Sequence, residues 1–204
     1  MRPQELLEIL SVAEKLKCST RHCYTSNGRH ESVAEHSWRL ALMAMLLSGE
    51  EEFQAVDMNK VIRMCLIHDL GEAFTGDIPA FLKKNEDAQA EDQLLEQWVD
   101  GFPEVQKQEF QELLKEMGAQ ETREARIYKA LDKLEAIIQH NESDIATWLP
   151  LEYDLQFTYG KENMQCSEYL TELRKVIDQW TREKIDTCAN GNACVRIPSL
   201  TVKK

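Results

Sequence analysis

The sequence predicts a single all-α domain. Apolar residues recur at three- and four-residue steps nearly throughout, and few stretches alternate with period two. Good helix formers dominate the composition. Helix starts carry recognisable caps, the clearest being Ser32 with Glu35 in capping-box spacing. A chain of 204 residues suits one core, large enough to fold without disulfides. No internal repeat or linker divides it. The domain is expected over residues 1–186. A loosely held tail is expected over 187–204, which contains Asn190-Gly191-Asn192 and ends in Lys203-Lys204.

The first helix is predicted from Pro3, a residue suited to a first helical position, to about Leu16. Its buried stripe would be Leu6, Leu7, Leu10, Ala13 and Leu16. Thr20 to His30 reads as a polar loop with a turn at Asn27-Gly28. Ser32 opens a second helix that places Val33, His36, Leu40, Met43, Ala44 and Leu47 on one face. Asp57 caps a third, running through Val61, Ile62, Cys65, Leu66, His68 and Asp69 until Gly71, Gly76 and Pro79 loosen it. Further helices are predicted from Asn85 or Glu86 to Val99 and from Pro103 to about Met117. Another begins at Thr122 and carries Leu131, Asp132, Leu134 and Ile138, and a last long one fits roughly Glu162 to Ile185.

The formal charge is −12, from 24 basic and 36 acidic side chains. Such a surface repels a phosphate backbone and argues against nucleic-acid polymers as ligands. A small phosphorylated ligand remains compatible where a bound cation inverts the local sign. The longest purely apolar run, Leu40 to Leu47, is far shorter than the roughly 20 residues that span a bilayer, so no membrane partner is expected. The N-terminus lacks an apolar signal region. The six cysteines form neither a Cys-x-x-Cys pair nor a zinc-finger spacing with histidine, so free thiols in a reducing cytoplasm are expected.

Ligand-type residues fall on three separate helices. His36 lies on the inward stripe of the second; His68-Asp69 ends the apolar run Met64 to Ile67; Asp132 sits between Leu131 and Leu134. A carboxylate among apolar neighbours is costly unless paired, and either a metal or a buried Arg or Lys would pair it. Two imidazoles and two carboxylates suit one divalent ion such as Mn, Co, Zn, Ni, Fe or Mg, with positions left for water and a phosphate oxygen. Glu72 follows His68 by four residues and Asp69 by three, so it projects toward the same side, and the Thr75-Gly-Asp-Ile-Pro79 loop presents Asp77 close by. Two such acids could position a water, take its proton or deliver one to a leaving group. The plainer readings are a solvated Glu72 and an Asp77 that only shapes a turn.

The order His36, His68-Asp69, Asp132 resembles that of the HD-domain phosphohydrolases. The strings Glu31-Ser-Val-Ala-Glu-His36-Ser, His68-Asp-Leu-Gly-Glu72 and Thr75-Gly-Asp77-Ile-Pro resemble the 5′-deoxynucleotidase branch, the likeness covering roughly Leu6 to Ile138. It implies a helical-bundle fold, with His36, His68, Asp69 and Asp132 as metal ligands and Glu72 and Asp77 as catalytic acids. It also implies that Arg21, fifteen residues before His36, grips the substrate phosphate. The next position, near the sugar, is usually Trp in the bacterial enzymes of this branch; here it is His22, which bears on the preference for deoxy sugars. The implied reaction releases phosphate from (deoxy)nucleoside 5′-monophosphates by attack of a metal-activated water. The implied partner is a nucleotide, and relatives of this kind are often homodimers. A hydrolase of a nucleoside triphosphate or cyclic nucleotide, or a sensor that binds metal or nucleotide without turnover, are the rival readings. The presence of both Glu72 and Asp77 speaks against the sensor.

Overall fold

Pro3 begins α1 (Pro3–Ala13), which passes into a 3₁₀ turn over Glu14–Lys17. The computed structural model describes residues 1–189. Of the stripe expected on α1, Leu6, Leu7 and Leu10 are exposed, and Leu16, in the 3₁₀ turn, reaches the core. The tighter winding of that turn carries Leu16 off the line of the preceding leucines. The segment expected to be a loop is instead an antiparallel hairpin, β1 (Thr20–Tyr24) and β2 (His30–Ser32), with Asn27-Gly28 at its turn. Its strands are too short and polar to carry a period-two signal.

Helix α2 (Val33–Leu47) starts where its cap predicts. Ser32 Oγ accepts from the Glu35 N–H at 3.2 Å, and the Ser32 N–H donates to Glu35 Oε2 at 2.9 Å. Val33, His36, Leu40, Ala44 and Leu47 are buried as expected. Helix α3 (Met58–Ile67) is capped by Asp57 Oδ1, which accepts from the Lys60 N–H at 3.0 Å. Val61, Met64 and Cys65 are buried, whereas Leu66, expected on the inner face, is 49% exposed. Leu66 follows the core residue Cys65 directly, and one residue turns a helix through about 100°, enough to leave that face.

The chain continues through α4 (Glu72–Thr75), α5 (Asn85–Asp100) and α6 (Glu104–Ala119) to α7 (Arg123–Glu142). Helix α7 is the spine. Thr122 Oγ1 caps it by accepting from the Ala125 N–H at 3.2 Å, and Ile127, Leu131, Leu134 and Ile137 are almost fully buried. Each such side chain contributes about 2 kcal/mol through burial. Helices α2, α3 and α7 pack on one another, and the core lies among them.

A 3₁₀ turn (Ile145–Thr147), α8 (Glu152–Thr158) and a second 3₁₀ turn (Lys161–Cys166) lead to α9 (Glu168–Ala189). The last helix thus starts later than Glu162. Ser167 is extended, and its Oγ accepts from the Leu170 N–H at 3.1 Å, which resets the helix there. Of the tail expected over 187–204, residues 187–189 instead continue α9, and residues 190–204 lie outside the described residues. Among the described residues no helix is long and apolar enough to cross a membrane.

Candidate metal centre and substrate cavity

The four predicted ligands converge, although they come from positions far apart in the chain. His36 projects from the first turn of α2, and His68 is the C-cap of α3, with Asp69 next to it. Asp132 comes from α7. His36 Nε2 and His68 Nε2 are 3.2 Å apart. Asp69 Oδ2 lies 2.9 Å from His68 Nε2 and 3.8 Å from His36 Nε2; Asp132 Oδ1 lies 3.3 Å and 3.8 Å from His36 and His68 respectively. The donor atoms of His36, His68 and Asp69 lie close enough together to share one divalent cation, with Asp132 Oδ1 beside the two histidines.

Each imidazole is aimed by its other nitrogen. His36 Nδ1 pairs with Glu135, and His68 Nδ1 lies 2.9 Å from the Cys65 carbonyl. Both rings therefore present Nε2 to the centre, as metal-binding histidines held by outer partners do. Glu135 is fully buried. Its Oε1 accepts from Arg39 Nε at 2.6 Å, and Arg39 Nη1 donates to Glu142 at 2.5 Å. Glu31, His36 and Glu135 form another buried group of donor type. Their atoms are already engaged, Glu31 by Cys23 Sγ at 3.2 Å and Arg21 Nε at 3.3 Å, and Glu135 by His36 and Arg39. That group orients the centre and leaves the ligand role to the Nε2 side.

Charge is finely divided here. Burial and the Arg21 guanidinium push the His36 imidazolium down, but Glu135 and Asp132 hold it up, to about 10. Asp132 is buried, which alone would raise its pKa, but Lys129 and Lys133 hold it well below the carboxylate range. Lys129 Nζ and Lys133 Nζ stand 3.0 and 3.3 Å from its Oδ2. Asp132 therefore turns Oδ2 to the two lysines and Oδ1 to the histidines, so the buried-lysine pairing is the one present.

Arg21, on β1, bridges the centre and its surroundings. Its Nη1 is 3.6 Å from Asp69 Oδ2. Glu72, first residue of α4, is buried, and its Oε2 has no hydrogen-bond partner among the described residues. Burial pushes the Glu72 carboxyl up to about 9, reinforced by the negative charges of Asp69 and Asp77. Asp77 is raised too, chiefly by burial. Two glycines place these acids. A Cβ at Gly71 would stand 2.5 Å from Glu91 Cγ, so glycine lets α4 lie against α5; Gly76, at φ 76°, turns the chain toward Asp77.

Arg21 and Asp77 also line a cavity of about 80 Å³ with His22, Phe81, Ile137, His140, Glu152 and Tyr159. The candidate ligands His68 and Asp69 border a separate, wider cleft of about 710 Å³. Arg21 thus stands between the centre and the cavity. His22 lies in the cavity wall, with its ring edge-on to Phe81 at 5.6 Å.

Sequence reasoning missed Glu135, Glu31, His140 and Glu152. Glu135 could have been found: it follows Asp132 by three residues on the same helix, and so faces the same way. His140 follows Asp132 by eight, again on nearly the same face. Glu152 lies beyond the recognisable strings, in a segment with no helical signal.

Comparison with known proteins bears on the whole arrangement. An HD-domain family model matches residues 13–174. The human protein 5′-deoxynucleotidase HDDC2 is 33% identical over 143 residues, 68% of each chain. Its Dictyostelium discoideum counterpart is 33% identical over 144 residues, 67% of this chain and 76% of that one. Among solved structures, a "Predicted metal-dependent phosphohydrolase" from Magnetospirillum magnetotacticum MS-1 superposes with a TM-score of 0.74 at 28% identity, covering 89% of this chain and 93% of the other. A conserved hypothetical protein from Pyrococcus furiosus gives 0.63 at 31% identity, over 86% and 99%.

Proposed function

The chain belongs to the HD-domain family, and on that premise we propose that it is a metal-dependent phosphohydrolase that releases phosphate from (deoxy)nucleoside 5′-monophosphates. The observation that carries this reading is the position of Arg21. One guanidinium reaches the donor cluster at Asp69 and also walls the cavity beside Asp77. A phosphate gripped there touches the centre, while the rest of the nucleotide extends into the cavity.

His36, His68, Asp69 and Asp132 would hold the cation, with Mn, Co, Zn, Ni, Fe and Mg all suited to this donor set. Such an ion supplies Lewis acidity toward a phosphate oxygen and activates a water. The chain's own groups do the rest. Arg21 offers a planar fork of donors and balances charge that builds on phosphorus oxygens. Attack by water forms one P–O bond and breaks the bond to the nucleoside 5′-oxygen. Asp77 takes the proton of the water. Glu72, whose carboxyl burial pushes up toward the protonated form, returns a proton to the leaving oxygen. No covalent intermediate is required.

We further read the protein as cytoplasmic, since Cys18, Cys23, Cys65 and Cys166 are thiols outside any disulfide. We read it also as a homodimer, since α2 leaves Trp38, Leu42, Met45 and Leu46 exposed on its outer face.

The test is a panel of deoxy- and ribonucleoside 5′-monophosphates with added Mn or Co. Phosphate release dependent on the metal supports the reading. Tight nucleotide binding without release, or turnover confined to triphosphates or cyclic nucleotides, contradicts it.

A further inference from the structure

Three elements meet at Glu152. It opens α8, and its Oε2 is held by its own helix end, accepting from the Leu149 N–H at 2.6 Å. Its Oε1 faces two imidazoles, His22 Nε2 from β1 at 3.0 Å and His140 Nε2 from the last turn of α7 at 3.3 Å. Neither approach is aligned as a hydrogen bond, so Oε1 is buried without a hydrogen-bond partner among the described residues, and so is His140 Nδ1.

Both orphans are acceptors. A carboxylate only accepts, and an imidazole that turns its Nε2–H toward a carboxylate is left with a lone pair on Nδ1. Burial pushes the His140 imidazole below the ordinary histidine range. Native interiors leave few such groups unpaired, because each costs desolvation with nothing in return. These residues line the same cavity as Arg21 and Asp77. The cavity thus has a cationic end for phosphate and an accepting end for something that donates.

We propose that Glu152, His22 and His140 are specificity-determining residues for the substrate's nucleoside half. Glu152 Oε1 and His140 Nδ1 accept hydrogen bonds from a hydroxyl or amino group of the sugar or base, with the His22 ring beside Oε1. This rests on the phosphohydrolase reading above. It differs from a purely structural clamp between the hairpin, α7 and α8, which would leave substrate preference unchanged.

The test compares metal-loaded wild type with His140→Phe, Glu152→Gln and His140→Asn on dAMP and on p-nitrophenyl phosphate, a phosphoester with no nucleoside. In the first two variants the ratio of kcat/KM for dAMP to that for p-nitrophenyl phosphate should fall about ten- to a hundredfold, mostly through KM. His140→Asn, whose Oδ1 can stand in for Nδ1, should recover part of the ratio, and keeps the question open to measurement if Glu152→Gln does not fold. Equal losses on both substrates, or an unchanged ratio, overturn the proposal alone. A wild type that cleaves p-nitrophenyl phosphate but no nucleoside monophosphate overturns the functional reading, and this proposal with it.

Discussion

His36 Nε2 and His68 Nε2 face each other at 3.2 Å in the interior, each ring having spent its Nδ1 elsewhere. Two neutral imidazoles so oriented would set lone pair against lone pair unless a proton or a cation lay between them. The Glu135 carboxylate, fully buried and shared between His36 and Arg39, is what keeps His36 turned this way. Replacing Glu135 by Gln should therefore weaken metal binding about 10- to 100-fold, the usual loss when an outer partner of a ligating histidine is removed. Calorimetric titration with Mn checks this, with circular dichroism to confirm an intact fold. Unchanged affinity would remove Glu135 from the centre's support.

Glu72 links the site to stability. Unfolded, its carboxyl titrates near 4.5; folded and metal-free, near about 9. Between those values the folded protein holds a proton that the unfolded chain has released, so stability falls as pH rises through the window. Chelator-treated wild type should lose more stability than Glu72→Gln between pH 5.5 and 8.5 in urea unfolding. Parallel curves would show that Glu72 is not protonated at neutral pH.

Arg21 should separate charge from geometry. Arg21→Ala removes the fork and should raise KM for a nucleoside monophosphate about tenfold or more, as loss of hydrogen bonds to a charged group does. Arg21→Lys keeps the charge but cannot grip two oxygens at once, and should recover only part of the loss. Full activity in the lysine variant would mean that charge alone suffices. Steady-state kinetics on dAMP distinguishes the two.

Asp77→Asn should keep the metal and lose turnover by about 10²- to 10⁴-fold, the range expected for removal of a group that moves a proton in the transition state. Metal affinity and kcat measured on the same preparation check this. A variant that turns over normally would return Asp77 to the role of a turn residue.

Much of this was legible before any coordinates. Ser32 with Glu35, Asp57 and Thr122 announced three helix starts, because capping is a local event written in a few residues. The convergence of His36, His68, Asp69 and Asp132 could be anticipated from their order and flanking strings, which resemble the HD-domain pattern; apolar neighbours alone left a buried Arg or Lys open as the partner of Asp132. What was not legible depends on contacts across the chain. The hairpin at Thr20–Ser32 is too short to show alternation. The exposure of Leu6, Leu7 and Leu10 cannot be read from a helix that is amphipathic in isolation. The meeting of His22, His140 and Glu152 joins positions more than a hundred residues apart in the first case, with no motif to mark them.

The most direct test of the central claim is an anomalous difference map from crystals of the protein grown with Mn. The account predicts one strong peak within bonding distance, about 2.0 to 2.3 Å, of His36 Nε2, His68 Nε2 and a carboxylate oxygen of each of Asp69 and Asp132. A peak bound elsewhere, or no peak among these four side chains at saturating metal, would contradict it.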